Sequence, residues 1–148
     1  MTDRRMGMIS KELKDIITQI KKQGNVHFFE GTTPECISAF EGENGIVLPS
    51  QYKEWLEFSD GGELFLPAGV QLYGVTHKPL IDVSDSDRPS EEYVVIGALA
   101  SGDPILLKKK GEQVAIYNHE TGKIEEDEVY QNFYAFLNDL HELLGIGG

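Results

Sequence analysis

The chain reads as an α+β protein, with N-terminal helices, a central antiparallel β-meander sheet and a C-terminal amphipathic helix. Three observations predict this order. Apolar residues recur at helical spacing up to residue 58, the pattern turns to alternation after Gly62, and helical spacing returns from Phe133. Because strands do not alternate with helices, a parallel nucleotide-binding sheet is not expected.

Ile9, Leu13, Ile16, Ile17 and Ile20 define the first helix, with Lys11, Lys14, Lys21 and Lys22 between them. Ser10 or an earlier residue caps it, and Gly24 ends it. Thr33-Pro34-Glu35 opens a second, shorter helix carrying Ile37, Phe40 and Cys36, which runs out at Gly42 and Gly45. Leu48-Pro49 delivers the chain into a third helix, since proline is tolerated in the first turn, where its missing N–H costs nothing. Tyr52, Trp55 and Leu56 fall at i, i+3 and i+4, on one face of that helix. Asp60-Gly61-Gly62 stops it, with glycine expected in the left-handed position after the cap.

The sheet begins with strands over 64–66 and 70–75, joined across Pro67-Ala68-Gly69 as a hairpin. Residues 76–92 carry Pro79, Pro89 and a cluster of Asp and Ser, and read as the most mobile loop. Three more strands follow over 93–100, 104–109 and 113–119, connected by Ser101-Gly102-Asp103 and Lys110-Gly111-Glu112. Glu120-Thr121-Gly122 is one further turn, followed by the acidic run 125–128. Phe133, Phe136, Leu137, Leu140 and Leu144 then set out the last helix, ended by Gly145. The edges of a five-strand meander leave homodimerisation open.

At 148 residues the chain is expected to form one domain over 1–148. A chain of that length buries roughly 70% of its unfolded surface and needs neither disulfide nor structural metal. Cys36 is the single cysteine, so no internal disulfide is available and a secreted protein is not expected. No apolar run follows the N-terminal arginines, so no signal peptide is read, and Met6 or Met8 serve as the start as well as Met1. No apolar stretch approaches the ~20 residues that span a bilayer. The expected location is cytoplasmic. Thirteen Lys+Arg against 25 Asp+Glu give a net charge of −12. That field repels nucleic acid and anionic membrane and steers basic partners inward, although solubility alone also accounts for it.

The stretch E-x6-LP-x2-Y-x2-WL-x3-DGG, from Glu41 to Gly62, resembles the opening signature of the SUKH superfamily. Its members are bacterial toxin-immunity proteins and the fungal cell-wall assembly regulators that share their domain. Ile37, Phe40 and Glu41 resemble the short helix before the LP pair. Gly102-Asp103 before Pro104-Ile105-Leu106-Leu107 resembles the family's glycine-aspartate strand opening. Residues 114–117 resemble the next strand, and Asn132-Phe133-Tyr134-Ala135-Phe136-Leu137 the opening of the terminal helix. The likeness covers about residues 35–144. The motif residues Glu41, Leu48, Pro49, Tyr52, Trp55, Gly61, Gly62, Gly102 and Asp103 are expected to be mainly structural. Tyr52, Trp55 and Phe58 read as core aromatics, and the glycines as supplying backbone conformations closed to other residues. Asp103 is expected to cap a turn. Glu41 serves either backbone donors of the loop that follows it or an exposed recognition role.

No catalytic set, cofactor site or metal site emerges. His27, His77, His119 and His141 show no HExxH pattern and no i, i+4 pair, and no phosphate-binding glycine loop or G-x-S-x-G is present. Asp82, Asp85 and Asp87 suggest a calcium loop, but the sixth position is Asp87 and the twelfth Tyr93, so the pattern fails. Two acidic clusters remain as partner-binding candidates: Asp82, Asp85, Asp87, Glu91 and Glu92, and Glu125, Glu126, Asp127 and Glu128. A solvated face accounts for either cluster alone. Together with the resemblance they imply a stoichiometric immunity protein that occludes a basic, nuclease-like toxin with the concave face of its sheet and flanking loops. The alternative is a general interaction or regulatory module without a toxin partner. Fungal members set the domain in longer chains with disordered flanks, and no such flanks are read here.

Overall fold

Ser10 opens the first helix by accepting the Leu13 N–H on its hydroxyl at 3.3 Å, which satisfies one of the donors a helix start leaves unpaired. A computed structural model describes residues 10–66, 69–76, 80–83, 92–109 and 111–143. Among them lie four helices: α1 (Lys11–Gln23), α2 (Pro34–Asn44), α3 (Ser50–Phe58) and α4 (Phe133–Leu143). Ile9, Leu144 and Gly145 fall outside the described residues.

The predicted faces of α1 and α3 are the buried ones, whereas in α2 only Ile37 is buried, with Phe40 half-buried and Cys36 exposed. Leu13, Ile16, Ile17 and Ile20 of α1 and Tyr52, Trp55, Leu56 and Phe58 of α3 all point into the core. The ends differ from expectation. Gly24 follows α1 in extended conformation, and α2 runs through Gly42 to close on Gly45, which is left-handed at φ 64. Pro49 sits one position before α3, at its N-cap. Ser59, extended at φ −147, follows α3 where a left-handed glycine was expected. The Asp60-Gly61-Gly62 turn therefore does something other than stop the helix.

Seven strands among the described residues form one antiparallel sheet in chain order: β1 (Asn25–His27), β2 (Gly62–Leu66), β3 (Val70–Leu72), β4 (Tyr93–Leu99), β5 (Pro104–Lys108), β6 (Val114–Asn118) and β7 (Lys123–Tyr130). The meander thus exceeds the five expected strands by one at each end. The predicted strand over 70–75 stops at Leu72. Gly74 instead bridges Leu80, and Asp82 bridges Val95, so part of the predicted 76–92 loop is tied to the sheet.

One sheet face carries Val94, Leu107 and Val114 in one row and Ile105 and Ile116 in the next, and all five belong to the core shared with the helices. Each such side chain taken fully out of water contributes about 1.5–3 kcal/mol. Rings join two of the helices to each other: Phe133 of α4 meets Tyr52 of α3 at 4.8 Å and Trp55 at 5.8 Å, both edge to face. Glu54 of α3 adds a polar tie, accepting from the Ser10 N–H at 3.0 Å and from the Tyr134 hydroxyl.

Candidate functional site

The turn after α3 is a buried polar node. Asp60 is fully buried. Its two carboxylate oxygens accept the Val75 and Thr76 N–H groups at 2.7 and 2.8 Å, and its own N–H donates to the Glu30 carbonyl at 3.2 Å. One residue therefore pins both the segment after β1 and the segment after β3. A buried carboxylate needs such donors, because leaving it or them unpaired costs the full desolvation penalty.

The neighbouring residues complete the node. Gly61, at φ 100, turns its carbonyl to receive the Trp55 indole N–H at 3.0 Å and the Ser59 hydroxyl at 2.7 Å. The Ser59 oxygen accepts the Phe29 N–H at 2.9 Å. The Tyr52 hydroxyl donates to the Tyr73 carbonyl at 2.6 Å. Burial, and secondarily the Asp60 charge, hold the Tyr52 phenol well above the usual tyrosine range.

This node fixes the residues that carry an exposed groove. Beyond Thr76, the Ile81 N–H donates to the Gly74 carbonyl at 2.9 Å, and Asp82 and Val95 exchange N–H···O bonds at 2.9 and 3.0 Å. Residues 80–83 are thereby suspended between Gly74 and β4. α2 stands opposite. Its end is set by Glu41, whose carboxylate accepts the Leu48 N–H at 2.7 Å and pairs with Lys53 at 3.2 Å. Between the two walls lies a groove of about 540 Å³, with Phe40, Val75, Ile81 and Val83 as apolar lining and Glu43 and Asp82 as its carboxylates. Leu80, also in the lining, is 41% exposed.

Of the first predicted acidic cluster, Asp82 lines this groove and Glu92 is exposed just before β4. Asp85, Asp87 and Glu91 lie outside the described residues. Glu125, Glu126, Asp127 and Glu128 are placed by their backbone in β7, the last strand of the sheet. Asp82 bridges β4 on its edge away from β5, four strand spacings from β7, so roughly 19 Å of sheet separates the two clusters. They do not form one patch.

The remaining motif residues are structural in their contacts. Leu48 is buried. Gly62 opens β2 at φ 140, and Gly102 turns at φ 97. Asp103 accepts the His119 N–H at 3.1 Å and touches its ring Nδ1, which joins the β4–β5 turn to the end of β6. Cys36 is exposed, and hydroxyl hydrogen bonds from Thr33 and then Thr32 draw its thiol below the usual value. Among the described residues no group of three or more His, Cys, Asp or Glu could hold a metal ion. No described helix is long and apolar enough to cross a membrane.

Sequence alone did not reveal the roles of Asp60 and the groove. Asp60 precedes its two N–H donors by 15 and 16 residues, and no local pattern announces such a clamp.

Helices on one face of an antiparallel meander, a buried polar turn after the aromatic helix and an open acid-bearing groove define an α+β domain of the SUKH type. The chain belongs to the SMI1 / KNR4 family (SUKH-1), whose family model matches residues 31–139. That interval opens at Gly31 beside the Asp60 node and holds the groove and both acidic clusters, but not α1. The comparison with curated protein sequences gave no match.

Proposed function

We propose that this protein is a cytoplasmic, stoichiometric binding protein that neutralises a cognate toxin domain by covering its active site. The observation that supports this best is an open, acid-bearing apolar groove in a member of a family that includes toxin-immunity proteins. A basic substrate cleft, as a nuclease toxin would carry, suits a domain of net charge −12. Complementary charge of this kind raises association rate and selects the partner more than it adds affinity. Neutralisation by capture needs that rate.

The test is a rescue assay. Toxin-like domains encoded beside the gene are expressed in a naive host with and without this protein, and survivors are counted. Survival together with co-purification of the pair is the expected result. A neighbour that kills regardless, or that has no toxicity, would instead favour an interaction module acting on endogenous partners.

A further inference from the structure

From the groove between α2 and residues 80–83, we infer that the protein docks a partner segment in which one large apolar side chain is flanked by lysine or arginine. This rests on the binding reading above, but not on the partner being a toxin. Three observations specify the occupant.

First, the groove offers an apolar contact that is already ordered. Leu80 is 41% exposed, yet its backbone neighbours are fixed by the Gly74 and Val95 hydrogen bonds. An exposed leucine held in place loses little freedom when a partner covers it. Phe40, Val75 and Val83 are only partly buried and line the same space. Second, none of the groove's described lining residues is a cation. Third, the end of α2 points its partial negative charge into this region. Glu43 and Asn44 are its last two residues, and no basic residue occupies its last turn. α2 supplies no cation of its own there and Lys53 of α3 is engaged by Glu41, so a lining that carries the exposed Glu43 and Asp82 favours a cationic ligand. An apolar anchor alone would forgo the charge of the exposed Glu43, and a purely basic segment would leave Leu80 in water.

The experiment uses the full chain, ¹⁵N-labelled, and two synthetic peptides. One carries a leucine between lysines; the other has serine in its place. Amide shifts should gather at Phe40, Asn44, Val75 and residues 80–83 with the leucine peptide. Leu80→Ser or Glu43→Lys should each weaken that binding about tenfold. Both positions are exposed, so the variants should keep the dispersed spectrum of the parent. Equal shifts with both peptides, scattered over the acidic surface, would overturn the inference, as would no shifts at all. Shifts at the groove amides on concentrating the protein alone would identify a second copy as the occupant and overturn it too. The rescue assay reads independently. Rescue without groove shifts keeps neutralisation and removes this surface, whereas groove binding without rescue does the reverse.

Discussion

Asp60 and Gly74 approach so closely that a Cβ on residue 74 would lie 2.4 Å from an Asp60 carboxylate oxygen. The glycine is required by space, because the carboxylate is buried and committed to the next two N–H groups along, those of Val75 and Thr76. Gly74→Ala should therefore force the clamp open and destabilise the fold by about 2 kcal/mol. Asp60→Ala removes the acceptor and strands two donors, for about 2–5 kcal/mol. Urea unfolding checks both. An Asp60→Ala variant with an unchanged midpoint would remove the node from any structural role.

Two phenols predict how the protein fails in alkali. Burial raises the Tyr52 hydroxyl, helped by the Asp60 charge, and burial with the Glu54 hydrogen bond raises that of Tyr134. Both tyrosines are neutral in the folded state at pH values where the unfolded chain ionises. Their contribution is thus fully present below about pH 10 and is lost as pH rises above it, by about 1.4 kcal/mol per pH unit for each phenol. Stability measured across that window should fall less steeply in Tyr134→Phe, by the share of one proton. An identical slope in the variant would show that Tyr134 titrates normally.

Cys36 should behave as an activated surface thiol. Its N–H donates to the Thr33 hydroxyl at the start of α2, and the Thr33 and Thr32 hydroxyls draw its ionisation downward. Iodoacetamide alkylation followed against pH should show a midpoint below that of a free thiol. Thr33→Val should move the midpoint up while costing about 1 kcal/mol as a lost helix cap. Thr33→Ser should restore both. A midpoint that stays put in Thr33→Val would assign the shift elsewhere.

Much of this architecture is legible in the sequence because it is local. The Tyr52, Trp55 and Leu56 spacing announces a buried helix face, and the glycine-marked turns announce strands β2 to β6. The two outer strands hide for different reasons. β1 is three residues, Asn25–His27, with two of them exposed, too short for any alternation. β7 contains four consecutive carboxylates between Ile124 and Val129, a composition that reads as loop, and it is the flanking Lys123-Ile124 and Val129-Tyr130 that pair with β6. Asp60 is illegible for a stronger reason. Its partners are chosen by where β3 leaves the sheet, so a residue that looks like a helix stop is a tertiary clamp. The groove is hidden likewise, because residues 40–44 and 80–83 meet only once the sheet has formed.

Capture and grip should separate kinetically. The charge of −12 acts at long range, whereas Leu80 acts only in contact. Against a partner identified by rescue, reversing Asp85, Asp87 and Glu91 to lysine halves the net charge. It should lower the association rate by about tenfold at low salt and flatten its salt dependence, with dissociation nearly unchanged. Leu80→Ser should do the opposite, speeding dissociation and leaving association close to that of the parent. Surface plasmon resonance at two ionic strengths reads both. If the triple reversal leaves the association rate intact, the acidic residues of that segment are a solvated face and the charge that steers lies elsewhere, with β7 the next segment to reverse.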